Sequence, residues 1–153
     1  MEKGKKELVV SAIANGTVID HIPAESLFQV IRILQLDQIN NEVLFGTNLD
    51  SKKLGKKGIV KVRDKYFKNR EINKIAMVAH SATLIEIKDY LVVKKKDVSY
   101  PKEVNNIVKC FNPNCVTNKE DVPSKLTVVE HQPMRLKCHY CEKFTSEQNI
   151  VFV

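Results

Sequence analysis

The stretch GTVIDHIP, from Gly16 to Pro23, is apolar enough for a buried strand but carries an acid and a histidine side by side, Asp20 and His21. Side chains alternate between the two faces of a strand. The alternation predicts two sets on opposite faces: Val18, Asp20 and Ile22 on one, and Ile19 and His21 on the other. Neighbours that point apart cannot easily form a catalytic Asp–His dyad, so the pair indicates a different role.

Two interpretations fit Asp20 and His21. A carboxylate at the end of a strand can accept two hydroxyl hydrogen bonds from a ribose, and a histidine beside it can contact a phosphate. The lysines that could neutralise the phosphates as point charges are Lys57, Lys61 and Lys95. In the other interpretation, Asp20 caps a helix that begins near Pro23, and His21 packs at the edge of a sheet.

The patterns around this stretch predict an α+β domain of the ferredoxin-like βαββαβ type. Extended apolar patterns predict strands at 7–13, 17–22, 41–49, 58–64 and 82–95, the last as one strand or two. Pro23 fits the first turn of a first helix, and Asn69 fits the cap of a second. Apolar residues at helical spacing mark the two helices: Leu27, Val30, Ile31 and Leu34, then Ile72, Ile75, Ala76 and Ala79. We expect helices on one face of the sheet and a free second face.

All four cysteines lie in the last third of the chain, as C-x4-C, a gap of 22 residues, and C-x2-C. This spacing predicts two short turns that meet at one tetrahedral zinc. Four thiolates leave no open position on the metal, so the site is structural. The predicted ligands are Cys110, Cys115, Cys138 and Cys141. The alternatives are four unrelated thiols or a redox C-x-x-C, although no thioredoxin-like pattern surrounds it.

The neighbours of these cysteines and the length of the segment fit the same prediction. Lys109, Lys137 and Lys143 can offset the negative charge of four thiolates, while His139 and His131 are interpreted as surface residues. About 50 residues are too few to form a core that is stable by itself, so we expect a metal to stabilise this segment. We therefore predict two domains, 1–100 and 101–153, with the boundary near Tyr100–Pro101.

Composition narrows the function classes. The chain has 153 residues, 43% hydrophobic and 28% charged, and a net charge of +7 that favours anionic partners. No apolar stretch is long enough to span a membrane, the N-terminus lacks a signal-peptide core, and a cytoplasmic protein is expected. No Walker, G-x-S-x-G or HExxH motif occurs. A binding or regulatory module is therefore favoured over an enzyme.

Four segments together resemble the regulatory chain of aspartate carbamoyltransferase. They are GTVIDHIPA at 16–24, GxxGIVKV at 55–62, YLVVKK at 90–95 and C-x4-C…C-x-Y-C-E-K at 110–143. The resemblance implies a non-catalytic chain whose first domain binds the effectors CTP and ATP and, in some members, UTP. It implies a second domain that holds one structural zinc and docks on the catalytic chain, and dimers formed through the first domains. The enzyme serves pyrimidine biosynthesis, so the resemblance implies feedback control of the enzyme by its nucleotide effectors.

The resemblance also implies roles for individual residues. Asp20 and Lys61 correspond to ribose contacts, and His21 and Lys95 to phosphate contacts. Positions near the base and sugar are Val10, Ala12, Ile13, Ile59, Thr83, Ile87, Tyr90 and Val92. Positions facing the catalytic chain are Asn112, Asn114, Glu142 and Lys143. Ser11 and Ile85 depart from the family's usual glutamate and polar amide, which leaves the preferred nucleotide open.

Two competing classes remain at this point. A nucleic-acid-binding zinc-ribbon protein would share the positive charge and the four cysteines, but the lysines are dispersed and aromatic residues make up only 7%. A free-standing nucleotide sensor would share the nucleotide site and lack the catalytic partner.

Overall fold

The computed structural model describes residues 12 to 153, which form two compact units divided between Ser99 and Tyr100. The first unit contains a five-stranded sheet with the strand order β2-β3-β1-β4-β5, and the second a four-stranded sheet with the order β6-β7-β8-β9. Every strand pair in both sheets is antiparallel. No helix in this part of the chain has the length and apolar character to cross a bilayer.

The first unit has the predicted βαββαβ order, extended by one edge strand. Its elements are β1 (Gly16–Pro23), α1 (Leu27–Ile33), β2 (Val43–Ser51), β3 (Gly55–Arg63), α2 (Asn69–Val78), β4 (Thr83–Lys88) and β5 (Leu91–Asp97). The predicted segment 82–95 is a hairpin of two strands, β4 and β5, joined at Asp89 and Tyr90, which both have positive φ. The strand predicted at 7–13 lies mostly outside the described residues, and Ala12 and Ile13 belong to no strand.

Both helices cover one face of this sheet and form the core with it. Buried side chains of α1 and α2 pack against those of β1, β3 and β4. The members with no more than 1% exposure are Ile19, Ile22, Leu27, Val30, Val60, Val62, Ile75, Ala76, Ala79, Ala82 and Leu84. Burial of such aliphatic side chains stabilises a fold by about 1.5–3 kcal/mol each. The predicted helical stripes therefore face the sheet, although Ile31 is only partly buried.

Two helix starts differ from the sequence prediction. Pro23 is extended and ends β1, so it precedes the first helical turn instead of forming it. The cap of α2 is Lys68, not Asn69, because the Glu71 carboxylate accepts the backbone N–H of Lys68 at 3.1 Å.

A bulge in β1 overturns the predicted alternation of side chains. Ile19 pairs with Val60 and Ile22 pairs with Gly58, so Asp20 and His21 together oppose a single residue of β3. His21 takes a positive φ of 56°. The extra residue returns Ile22 to the helix-covered face with Ile19, which explains why it does not share a face with Val18 and Asp20.

The second unit is a small sheet whose longest connection, residues 106–124, contains one short helix. Its elements are β6 (Glu103–Asn105), α3 (Val116–Lys119), β7 (Lys125–His131), β8 (Met134–Cys138) and β9 (Phe144–Ser146). Its fully buried apolar side chains include Val104, Leu126, Met134 and Leu136. Few such residues are available, so the unit depends on a further stabilising element.

Gly16 provides a test of how tightly β1 is packed. Its φ is +137°, and an added Cβ would overlap the carbonyl oxygen of Val62 on β3. We expect Gly16→Ala to lower the free energy of unfolding by more than the roughly 1–3 kcal/mol that a strained backbone conformation costs alone, because steric overlap adds to that strain.

Gly55→Ala is the matched control. Gly55 also has a positive φ, +79°, but an added Cβ meets no atom within 4 Å. It should cost only about 1–2 kcal/mol, the penalty of the left-handed backbone alone. Denaturant unfolding of the zinc-loaded chain measures both variants, and equal losses would contradict the packing argument.

Candidate functional site

The four cysteines of the second unit come together at one point. Their sulfur atoms all lie within 4.8 Å of one another, with Sγ–Sγ distances of 3.6 Å for Cys110–Cys141 and 3.7 Å for Cys115–Cys138. Four sulfurs placed tetrahedrally about a zinc at its usual bond length lie roughly 3.8 Å apart. The cluster therefore fits one structural zinc, and it includes no histidine. His139 is exposed and its ring contacts Tyr140 edge-on.

Local hydrogen bonds shape the first turn around two of these thiols. Asn118 Nδ2 donates to the carbonyl oxygens of Cys110 and Asn112, both at 2.8 Å. The hydroxyl of Thr117 donates to Cys115 Sγ at 3.2 Å. Such contacts orient ligands and tune their donor strength.

The second turn follows β8 and closes on itself. Cys138 N–H donates to the Lys143 carbonyl at 2.9 Å, and Glu142 N–H donates to the Cys138 carbonyl at 3.1 Å. Glu142, directly after Cys141, has a positive φ of 63°, which lets the chain reverse as it leaves the C-x2-C segment. The position of both turns beside the sheet brings the two cysteine pairs together.

The thiols differ in their readiness to ionise. Burial raises the pKa of Cys110 and of Cys138. Burial also opposes ionisation of Cys141, but hydrogen bonds from the Lys143 backbone, the Asn112 side chain and neighbouring thiols lower its pKa to about 7. Metal binding must therefore release protons from the buried thiols, which links zinc affinity to pH.

In the first unit, the bulge holds Asp20 in a defined hydrogen-bond geometry. Its Oδ1 accepts the N–H of His21 at 2.6 Å and Nζ of Lys57 at 2.8 Å. The side chains of Asp20 and Lys57 are 18% and 20% exposed. Burial opposes ionisation, but the Lys57 hydrogen bond, the His21 N–H and the Lys57 charge outweigh it and lower the pKa of Asp20.

This geometry rules out the helix-cap interpretation. The turn that follows Pro23 has no side-chain cap, and Asp20 bonds to Lys57 and to its own neighbour instead. His21 is not at an edge either, because β1 is the central strand. Its Nδ1 lies 3.1 Å from Thr83 Oγ1 on β4.

Cross-strand pairing places a row of two lysines and two apolar residues on the sheet face that the helices do not cover. We call this face the open face. Val18 pairs with Lys61 on β3 and with Ile85 on β4, and Ile85 pairs with Lys95 on β5. Paired residues share a face, so two lysines flank two apolar side chains. Burial lowers the pKa of Lys61, and the charge of Asp20 opposes that shift.

The predicted effector residues divide into two groups on this sheet. Asp20, His21 and Thr83 lie near one end, Lys61 and Lys95 lie two residue pairs further along, and Ile59 opposes the bulge. Toward the other end, Ile87 pairs with Val92 on β5 and with Gly16 on β1.

The exposed Tyr90 joins the second group, because its N–H donates to Ala14 O at 2.9 Å, directly after the buried Ile13. Ala12 is exposed, and Val10 and Ser11 lie outside the described residues. Thr83 and Ile87 are four residues apart on β4, which separates the groups by roughly 13 Å.

Two residues that bond to His21 and Thr83 could not be found from the sequence. Asp97 on β5 accepts the Thr83 hydroxyl at 3.1 Å, and the Ser81 hydroxyl donates to His21 O at 2.8 Å. Neither position belongs to a motif, and only strand pairing brings residues so distant in the chain to His21.

The four predicted partner-facing residues lie in the two cysteine turns. Asn114, Glu142 and Lys143 are exposed. Asn112 is half-buried, and its Oδ1 accepts the N–H of Asn114 at 3.1 Å. Their placement beside the metal cluster makes any surface that uses them dependent on the folded turns.

Comparisons with known proteins match both units. A family described as the aspartate carbamoyltransferase regulatory chain, allosteric domain, matches residues 8–99, and its metal binding domain matches residues 102–151. The chain is 48% identical over 153 residues to the aspartate carbamoyltransferase regulatory chain of Bacteroides thetaiotaomicron, covering 100% of both. It is 49% identical over 147 residues to that of Pyrococcus horikoshii, covering 95% of this chain and 97% of the relative.

Zinc removal tests the metal centre. We expect one zinc per chain, and we expect a chelator to unfold residues 100–153 while the first unit stays folded, because metal binding and folding coincide in such small domains. Elemental analysis gives the stoichiometry, and hydrogen exchange reports on each unit separately. Unchanged protection in β7 and β8 after complete zinc loss would contradict the prediction.

Proposed function

The chain belongs to the family of aspartate carbamoyltransferase regulatory chains, and from this premise we propose that it binds nucleotide effectors on the open face of its first sheet. Regulatory chains are the non-catalytic subunit of this enzyme of pyrimidine biosynthesis. Membership therefore accounts for the lack of catalytic motifs in the sequence. It also implies the catalytic chain as a partner.

The geometry of Asp20 is the observation that carries the nucleotide proposal. Its Oδ1 is already occupied by the His21 N–H and by Lys57. Among the described residues, no group donates to the other carboxylate oxygen, which is therefore available to the hydroxyls of a ribose. The lowered pKa of Asp20 keeps this carboxylate charged as an acceptor. Lys61 lies near enough for the Asp20 charge to influence its pKa, as a shared ribose contact requires.

The remaining residues fit the two ends of a nucleotide. His21 and Lys95, near Asp20, supply cationic donors for phosphates. Tyr90, Val92 and Ile87 supply apolar surface for a base about 13 Å away, a separation comparable to the length of an extended nucleotide. We propose CTP and ATP as ligands, with UTP as a third candidate, because Ser11 and Ile85 leave the preference open.

We propose that the second unit docks on the catalytic chain through the exposed surface of the zinc turns. Asn112, Asn114, Glu142 and Lys143 are the proposed contacts. The division into an effector domain and a metal domain then follows the two units, and a thiol-rich metal site fits the reducing cytoplasm. A nucleotide controls the enzyme only if it binds one quaternary state better than the other, with a typical coupling of about 1–3 kcal/mol.

The two edges of the first sheet differ in a way that favours a homodimer. The β5 edge carries Lys94, Lys95 and Lys96, the kind of charge that prevents strand addition. The β2 edge, Val43–Ser51, has no lysine or proline over 9 residues. Phe45 on this strand and Phe28 on α1 form an edge-to-face pair and remain 49% and 54% exposed. We propose that β2 pairs with a second copy of this chain.

Nucleotide titration tests the effector site. Asp20→Asn should weaken CTP and ATP binding by roughly tenfold or more, since a neutral amide loses charge-assisted bonds to Lys57 and the ribose. Calorimetry on the zinc-loaded chain measures this. Asp50→Asn is the control, because Asp50 does not belong to the proposed site. It forms an exposed ion pair with Lys56, with an N–O distance of 2.6 Å. Equal affinities for wild type and Asp20→Asn would refute the assignment.

Oligomeric state tests the proposed dimer edge. Sedimentation should give twice the 17.5 kDa mass of one chain. Phe45→Lys should shift the protein to monomer, because like charges would then face each other across the interface. Val93→Lys, on the other edge and also exposed, should leave the mass unchanged. A monomeric wild type, or a dimer lost only in Val93→Lys, would contradict the use of β2.

A further inference from the structure

The side chains of Asp97, Thr83 and His21 form a hydrogen-bonded series across three neighbouring strands. Thr83 Oγ1 donates to Asp97 Oδ1 at 3.1 Å and lies 3.1 Å from Nδ1 of His21. The strand register supports both contacts, because Thr83 pairs with Asp97 on β5 and with Asp20, the neighbour of His21, on β1. Thr83 is only 3% exposed, so its hydroxyl has little access to water as an alternative partner.

This hydrogen-bonded series determines which nitrogen of the His21 ring carries the proton. A carboxylate can only accept, and a hydroxyl has a single proton, so the proton of Thr83 goes to Asp97. The Thr83 oxygen must then accept from Nδ1–H of His21. The neutral ring therefore presents a lone pair at Nε2, which repels an anion. Only the doubly protonated ring presents an N–H at Nε2 for a phosphate.

The backbone of His21 holds the ring in this position. Its N–H donates to Asp20 Oδ1 at 2.6 Å, and its carbonyl accepts the Ser81 hydroxyl at 2.8 Å. Its φ of 56° is fixed by the bulge. With the backbone and Nδ1 engaged in these bonds, Nε2 is the ring nitrogen that remains for a ligand.

We propose that Asp97, acting through Thr83, is a positioning residue that makes His21 a cationic phosphate donor, so that nucleotide binding takes up a proton at His21. The inference rests on the proposed nucleotide function. Asp97 fixes the ring through the Thr83 hydroxyl, and the Asp20 carboxylate accepts the backbone N–H of the same residue. Among the residues that the structure describes, the charged groups around His21 are Asp20 on β1, Lys57 and Lys61 on β3, Lys95 and Asp97 on β5, and Lys53, which donates to Ser81 O at 3.3 Å.

The tautomer can be measured without any ligand. Side-chain ¹⁵N spectra of the zinc-loaded chain at alkaline pH, with His21 identified by His21→Gln among 4 histidines, should show the Nδ1–H form. Asp97→Ala and Thr83→Val should raise the population of the Nε2–H form. Asp97→Asn should keep the wild-type tautomer, because the amide oxygen still accepts the Thr83 proton. Asp97 is exposed on an edge strand, so its replacement should leave the fold intact.

Binding gives the second readout. Calorimetry with CTP in two buffers of different ionisation enthalpy measures protons taken up per nucleotide. Asp97→Ala should bind roughly tenfold more weakly than wild type at pH 6, take up fewer protons, and approach wild type at pH 8. Comparing variants removes the nucleotide's own titration. Glu86→Gln removes a carboxylate from β4 outside this series and should match wild type.

The outcomes separate the two proposals. An Nε2–H form in the wild type, or an unchanged tautomer in both Asp97→Ala and Thr83→Val, overturns the inference whatever the nucleotide does. Wild-type binding with identical affinity and proton uptake in Asp97→Ala overturns the inference and leaves the nucleotide function standing. A wild type with the expected tautomer that binds neither CTP, ATP nor UTP overturns the nucleotide function, and the role of His21 falls with it.

Discussion

The bulge in β1 is the constraint on which the first unit depends, because it lets one central strand supply both the hydrophobic core and the polar face. Without the extra residue, strict alternation would turn Ile22 away from Ile19 and out of the core. With it, both isoleucines are fully buried against the helices, and Asp20 and His21 are left beside each other opposite one residue of β3. Bulges are typical where a sheet must aim side chains at a site.

The polar groups around the bulge stabilise it and also organise the site proposed to bind a nucleotide. Asp20 Oδ1 satisfies the His21 N–H, which the strand ladder no longer pairs, and Lys57 balances the carboxylate charge. Ser81 and Thr83 satisfy the His21 carbonyl and ring nitrogen. A site organised in this way before binding loses less conformational entropy when the ligand arrives. The positive φ of His21 is a cost that these bonds offset.

The second unit is stabilised differently, because this chain segment has too little apolar surface to form its own core. Its four thiols are held by turns whose backbone bonds close on themselves, and three of the four are buried. The metal cluster therefore replaces part of the missing core. Because the residues proposed to face the catalytic chain belong to the same turns, the stability of this unit and the integrity of its surface depend on one metal.

The sequence alone determined the order of elements, the helical stripes, the four ligands and the family, because hydrophobic period, cysteine spacing and contiguous motifs are local properties. GTVIDHIP, for example, marks both a buried strand and the acid–histidine pair of the proposed effector site within eight residues. Only the tertiary structure decided the bulge, the bond from Lys57 to Asp20 and the link from Asp97 through Thr83 to His21. Lys57 and Asp20 are 37 residues apart, and Thr83 and His21 are 62 apart. Such contacts depend on strand order and register, and a shift of one residue in register would reverse the face that each side chain occupies.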